Sequence, residues 1–237
     1  MPAEIPVSFS AYRRQQHRWA RGSLECAIKL IPKVWSAPIR ISRKVEATLH
    51  LMGYCVHLLL FSLTILYPIV LLVSMRYPAL ISLFGIALVF NATAFATTIF
   101  FIAAQQQLGR KWWRALPFIF FITALGAWMM VNTVRAAIQV ILGSSNVFER
   151  TPKFGIVRQG QEWKNRLYQL RLDPLVFPEL GLAMVNLVTV LLAIQLGNWM
   201  IASYAALFTL GLLFTSGLTI GQTVSVRWNR LHSTRHE

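Results

Sequence analysis

Four stretches of this chain, residues 47–75, 77–109, 115–134 and 180–226, contain no Lys, Arg, Asp or Glu. A helix that crosses the hydrocarbon core of a bilayer needs about 20 apolar residues, and each of these stretches is of that order or longer. Composition agrees. Soluble domains carry about 25% charged residues, whereas here 13% are charged and 56% hydrophobic. The charges that remain are lopsided, with 23 Lys and Arg against 8 Asp and Glu and a net charge of +15. The chain is predicted to be an all-α polytopic membrane protein with basic parts at the membrane edge.

The basic residues fall into blocks: nine before residue 47, three at 110–114, six from Arg150 to Arg171 and three after 226. Single spans are expected at 48–74 and 79–104, joined by a turn at Arg76-Tyr77-Pro78. Two more are expected at 179–196 and 199–222, divided at Gly197-Asn198. The expected organisation is a cytosolic interface segment (1–46), a first transmembrane pair (47–104), an interfacial or re-entrant helix (105–142), a cytosolic loop (143–178), a second transmembrane pair (179–222) and a basic tail (223–237). Residues 1–40 hold no apolar signal-peptide core.

Leu116–Val131 is apolar but short for a span, and it runs into a stretch where Asn132, Arg135 and Gln139 share one helical face. Lys and Arg are concentrated in cytosolic loops. If 116–142 does not cross fully, every large basic block stays cytosolic. We therefore expect four spans and one interfacial or re-entrant helix, with both termini cytosolic in a plasma (inner) membrane. Trp112, Trp113 and Trp228 then fall at cytosolic ends and Tyr77 and Trp199 at outer ends, depths that suit amphipathic rings.

Residues 10–31 are predicted to form a basic amphipathic helix, capped by Ser8 or Ser10 and stopped near Pro32. One reading is a helix held on the membrane surface by anionic lipid. A sharper one starts at Gln15-Gln16-His17-Arg18-Trp19. Gln15, Arg18 and Trp19 are spaced i, i+3, i+4 and share a face. A guanidinium matches diphosphate oxygens bidentately, an amide donates or accepts beside it, and an indole offers a flat surface to a sugar ring.

The run Q-x-x-R-W resembles the signature of processive family-2 glycosyltransferases, the cellulose-synthase and mannan-synthase group. The longer run PAEIPVSFSAYRRQQHRWARGS is similar to the mannan-synthase-like branch. A second stretch, Phe148-Glu149-Arg150-Thr151-Pro152-Lys153, resembles the F-x-x-T-x-K gating loop of that family and holds the same place, after an interfacial helix and before the last two spans. The resemblance covers essentially the whole chain. It implies that Gln15 and Arg18 meet the diphosphate, that Trp19 stacks on the acceptor sugar, and that Phe148, Thr151, Pro152 and Lys153 belong to a lid over the nucleotide. The partners it implies are a nucleotide-sugar donor of UDP-glucose or GDP-mannose type, a glycan acceptor and the bilayer.

The family's D-x-D and T-E-D motifs, which bind donor and metal and supply the base, occur nowhere in these residues; Asp173 is the only aspartate. Inverting transfer needs a carboxylate to deprotonate the acceptor hydroxyl. The expectation is thus the C-terminal membrane portion of such an enzyme, with no catalytic residue, bound cofactor or metal of its own. The divalent Mg or Mn and the GT-A fold would belong to a separate N-terminal catalytic domain, and the isolated chain would be inactive. The alternative is a non-catalytic membrane scaffold or transporter-like subunit whose basic helices bind lipid. The basic surplus sits at membrane edges, which argues against nucleic acid as a partner.

His50, Tyr54 and His57 recur at i, i+4, i+7 in the first expected span. Such a face suits either a glycan channel, as the resemblance implies, or interhelical hydrogen bonds. Gly53, Gly85, Gly126 and Gly181 are expected at close helix contacts. Cys26 and Cys55 show neither metal-ligand spacing nor a disulfide framework.

Overall fold

The computed structural model describes residues 6, 8–78, 96–144 and 172–233. Among these residues there is no strand, and the chain is built from α1 (Phe9–Ser36), α2 (Ile41–Leu51), α3 (Cys55–Arg76), α4 (Ala96–Gln107), α5 (Leu116–Ile141), α6 (Val176–Gln195) and α7 (Trp199–Ser233). A 3-10 turn, Trp112–Ala115, leads into α5. Four of these helices are long and apolar enough to cross a membrane: α3, α5 with its leading turn, α6, and α7 as far as Val226. The protein is an all-α membrane protein, as its uncharged stretches require.

Three of those helices coincide with expected spans. Of the span expected at 79–104, residues 79–95 lie outside the described residues and α4 is the described part. The segment expected as interfacial or re-entrant is α5, an unbroken helix of 26 residues. Its first half crosses α7, where Phe121 meets Phe214 edge-on at 5.2 Å. Its second half runs beside α1, and α1 covers the polar face that contains Asn132 and Gln139.

The two ends of the bundle differ. At one, Leu71 of α3, Ala193 of α6 and Ile201 and Ala202 of α7 form an apolar cluster. The α6–α7 turn closes here through Gly197 at φ 68°, a left-handed conformation that glycine adopts without strain. Asn198 caps α7 by accepting from the Ile201 N–H at 3.1 Å. Tyr77 and Trp199 share this end. At the other end, Ala20 and Leu24 of α1 pack on Ala136 of α5, with Tyr54, Cys55 and Val140 around them.

Much of the apolar surface faces outward. Leu59, Ile65, Leu66, Ile69 and Leu72 of α3 and Met184, Val185, Val188 and Leu191 of α6 are exposed. Left in water such a surface would forgo about 25 cal/mol per Å² of burial; in a bilayer the acyl chains cover it.

Two local expectations change. Helix α1 does not stop at Pro32 but continues to Ser36. Proline removes one N–H from the ladder, yet the last turn is held by the Ala37 N–H bonded to the carbonyls of Lys33 and Val34 and by the Ser36 hydroxyl on Lys33 O. Helix α2 adds to this: Trp35 Nε1 donates to Thr48 Oγ1 at 3.1 Å, and Lys44 Nζ donates to Trp35 O at 2.7 Å. The chain also bends at Met52-Gly53-Tyr54, so the basic helix α2 is separate from the apolar α3.

The close helix contact is at a glycine that spacing did not single out. A methyl group on Gly211 of α7 would overlap the Ala124 carbonyl of α5, whereas Gly126 and Gly181 have open space at that position. Gly53 has only the carbonyls of its own turn nearby, and Gly85 lies outside the described residues.

Candidate functional site

Helix α1 has two faces. Arg13, Gln16, Ala20, Leu24 and Ala27 are buried, and at 3.6 residues per turn they form one continuous stripe. By the same period Gln15, Arg18 and Trp19 project from the opposite side. Gln15 and Arg18 are half-buried there and Trp19 is 54% exposed. The predicted motif face is therefore the outward face of a packed helix.

The inward face is held by a buried charge. Arg13 Nη1 donates to Glu179 Oε1 at 2.6 Å, and Nη2 donates to Glu179 Oε2 at 2.9 Å and to Thr219 Oγ1 at 3.2 Å. Both side chains of the pair are almost fully buried. Trp128 Nε1 donates to Glu179 Oε1 at 2.6 Å and Ser216 Oγ donates to Oε2 at 3.1 Å. The guanidinium also lies 5.1 Å from the Trp128 ring centre, a cation–π distance, and Phe9 packs against the same indole in a tilted arrangement with ring centres 4.7 Å apart. Four donors thus converge on one carboxylate, which satisfies a charge that would otherwise be untenable in an apolar interior.

Further bonds set the height and rotation of α1. Ser8 Oγ accepts from the Ala11 N–H at 3.3 Å as an N-cap. Another unpaired N–H of the first turn, that of Phe9, donates to Gln222 Oε1 of α7 at 2.8 Å. Asn132 Nδ2 donates to Arg13 O at 3.1 Å, and the His17 ring meets Gln139 Oε1 at 2.8 Å through Nε2. Lower down, Arg21 Nε donates to Glu25 at 2.9 Å and Arg21 Nη2 to the Ser144 carbonyl.

Burial shifts two titratable groups on this helix. His17 is held below the usual imidazole range, chiefly because its charged form would lose water, with the Arg135 and Arg21 charges adding to the effect against its hydrogen bond to Gln139. Tyr12 is raised for the same desolvation reason.

The other candidate residues divide. Tyr54 and His57 come together with ring centres 5.9 Å apart, but His50 is exposed on α2, beyond the bend at Gly53. Phe148, Thr151, Pro152 and Lys153 lie outside the described residues. Among the described residues no group of three His, Cys, Asp or Glu side chains is placed to hold a metal ion, so these residues do not fit a divalent metal and no chemical step is assigned to one.

Arg13, Trp128, Glu179 and Ser216 were not among the sequence candidates. One signal pointed to them: Glu179 is the acid at the head of the uncharged run 180–226. An ionisable residue at a membrane span demands a partner. No protein-family model, curated protein or solved structure matches the chain.

Proposed function

We propose that this chain is the C-terminal membrane portion of a processive inverting β-glycosyltransferase, which receives sugar from a nucleotide-sugar donor onto a growing glycan and conducts the glycan across the bilayer. The observation that carries the reading is that half-buried Gln15 and Arg18 and exposed Trp19 lie on the side of α1 away from Arg13 and Glu179, which fix the helix from behind. A rigid support matters because charge stabilisation of a leaving diphosphate and stacking on an acceptor ring both depend on positions held before the reaction. Arg18 opposes the negative charge that grows on the diphosphate, Gln15 hydrogen-bonds beside it, and Trp19 forms the platform for the terminal sugar. Phe148, Thr151, Pro152 and Lys153 supply the nucleotide lid in this reading. Donor binding, metal and the general base come from a separate catalytic domain.

The test is reconstitution. The chain is co-expressed with a family-2 catalytic domain that carries D-x-D and T-E-D, and polymer formation from UDP-glucose or GDP-mannose is followed. The chain alone should transfer nothing and the pair should make polymer. Arg18→Ala should lower kcat by roughly 10²–10³, the range for one lost charge-stabilising donor. Trp19→Ala should weaken acceptor engagement about 3- to 10-fold, the worth of one aromatic contact. Turnover by the isolated chain, or variants indistinguishable from the parent, would instead favour a lipid-bound membrane scaffold. The basic, outward-facing α1–α2 hairpin is the feature that favours that second reading.

A further inference from the structure

Helix α2 is short and almost uncovered. It has 11 residues, no side-chain hydrogen bond caps its start, and none of its residues is buried. A helix of that length is marginal in water on its own, so its stability depends on what lies against its faces. At 3.6 residues per turn it has three. Lys44, Ala47, Thr48 and Leu51 are half-buried and form the side toward α1, where Trp35 bonds to Thr48 and Lys44. Ser42, Arg43, Glu46 and His50 are exposed on a polar side. Ile41, Val45 and Leu49, with Met52 at the cap, fall within about 80° of arc on the remaining side. Ile41 and Leu49 there are 73% and 69% exposed.

The chain connection fixes the depth of this apolar stripe. Helix α3, long and apolar enough to cross a membrane, has 22 residues. That is about 33 Å at 1.5 Å per residue, against a hydrocarbon core of about 30 Å. The crossing uses the whole helix, so Cys55 stands at one face of the core. Only Met52, Gly53 and Tyr54 separate it from α2, which therefore ends at headgroup depth. The stripe also runs into surface that acyl chains cover. Met52 lines one apolar groove with Cys55 and Leu58 of α3 and Ile28 and Ile31 of α1, and Val56 and Leu59 of α3 are exposed.

We propose that α2 lies in the plane of the bilayer at headgroup depth, with Ile41, Val45, Leu49 and Met52 against the acyl chains, and that it anchors the far end of α1 there. An apolar stripe with a polar face opposite is the pattern of a helix seated in the interface. Arg43 and His50 lie opposite the stripe, so the apolar side chains make the contact and a bilayer of zwitterionic lipid suffices. Arg13 and Glu179 fix one end of α1, and the bonds of Trp35 to Thr48 and Lys44 tie its other end to the bilayer surface. The inference does not depend on the glycosyltransferase reading.

Spin labels test it in the full chain, reconstituted in phosphatidylcholine nanodiscs. The labels are attached one at a time to Ile41→Cys, Val45→Cys and Leu49→Cys on the stripe, and to Ser42→Cys, Glu46→Cys and His50→Cys on the polar side. The background carries Cys26→Ala and Cys55→Ala. Power saturation with oxygen, which partitions into lipid, and with a water-soluble nickel chelate measures the depth of each label. The three stripe labels should lie about 5–10 Å into the headgroup–acyl boundary, open to oxygen and closed to nickel. The three polar-side labels should show the reverse. A label at Lys33→Cys should become more mobile when Val45→Glu and Leu49→Glu are combined, and should be unchanged by Arg43→Glu with His50→Glu. The depth measurement uses exposed positions alone and stays decisive if the Val45–Leu49 pair variant fails to fold. Nickel reaching both sets equally would put α2 in water. Stripe labels closed to both reagents would mean that protein, such as a second copy of the chain, covers them. Either result, or an unchanged line shape at residue 33, would overturn the proposal.

Discussion

Arg13 and Glu179, 166 residues apart in the chain, meet through two parallel N–H···O bonds of 2.6 and 2.9 Å inside the helix bundle. The bidentate geometry does more than neutralise two charges. A guanidinium fork accepts one orientation of its carboxylate, so the pair sets the rotation of α1 and thereby the direction in which Gln15, Arg18 and Trp19 point.

Breaking this pair from one side should be severe. Glu179→Leu leaves a guanidinium buried without its counter-ion, and Arg13→Leu leaves the carboxylate. Each is expected to cost about 3–5 kcal/mol, whereas the double variant should recover a large part of that loss because two apolar side chains pack without an unpaired charge. Denaturation of the three variants in detergent, read as a double-mutant cycle, measures the coupling. Additive losses would show that the two residues do not act as a unit.

Gly211 is expected to tolerate no side chain. The nearest atoms to an added methyl belong to the α5 backbone at Ala124, and backbone cannot rotate away as a side chain does. Gly211→Ala should destabilise by about 1–3 kcal/mol through forced separation of α5 and α7. Gly217→Ala, on the same helix with open space around it, should stay within about 0.5 kcal/mol. Thermal scans of both variants in one detergent make the comparison.

Stability should depend on pH through His17. Its folded-state value is lowered, mainly by burial, so between that value and the ordinary imidazole range near 6.5 the unfolded chain binds more protons than the folded one. Stability therefore rises with pH across this window and is lost as pH falls through it. The Nδ1 atom of His17 is buried without a hydrogen-bond partner, and the contacts that favour the charged ring, to Gln139 and the Asn132 backbone, are outweighed by its loss of water. Arg21, Arg135, Asn132 and Gln139 are the groups that face the ring. His17→Gln should flatten the profile below the ordinary imidazole range in denaturation experiments. An unchanged slope would place the titrating group elsewhere.

Sidedness is predicted from the basic blocks of the sequence. Cysteines substituted at Tyr77 and Trp199, in a background without Cys26 and Cys55, sit at the end of the bundle away from α1. An impermeant maleimide should modify both in intact cells and should reach a cysteine at Ser36 only after permeabilisation. Labelling of all three from outside would reverse the inference from the basic blocks.

The spans were legible because hydropathy is a local property. The uncharged runs before Arg76 and after Glu179 correspond to α3, α6 and α7, and the turn at Gly197 was marked by its own residues. The face of α1 was legible for a similar reason, since Gln15, Arg18 and Trp19 are related by helical period alone. Other features depend on what meets in space. Nothing beside Arg13 distinguishes it from Arg14, yet one is buried against Glu179 and the other is not fully covered. Gly211 looks like any other glycine of a membrane helix until Ala124 is placed across from it. The end of α1 was misjudged because the loss at Pro32 is local, whereas the bonds of Trp35 to Thr48 and Lys44 come from a helix that follows.

The bond from the Phe9 N–H to Gln222 spans 213 residues, and with the Arg13 contacts it gives α1 an order of assembly. On the ribosome α1 emerges long before α7. Until α7 has been inserted, the carboxamide of Gln222 and the hydroxyl of Thr219 are not there to receive it. Contacts of such sequence separation form late, so the helix made early must wait at the membrane surface and seat at the close. Loss of α7 would then leave α1 held by Glu179 of α6 and by Asn132 and Gln139 of α5, with the Phe9 N–H of its first turn unpaired.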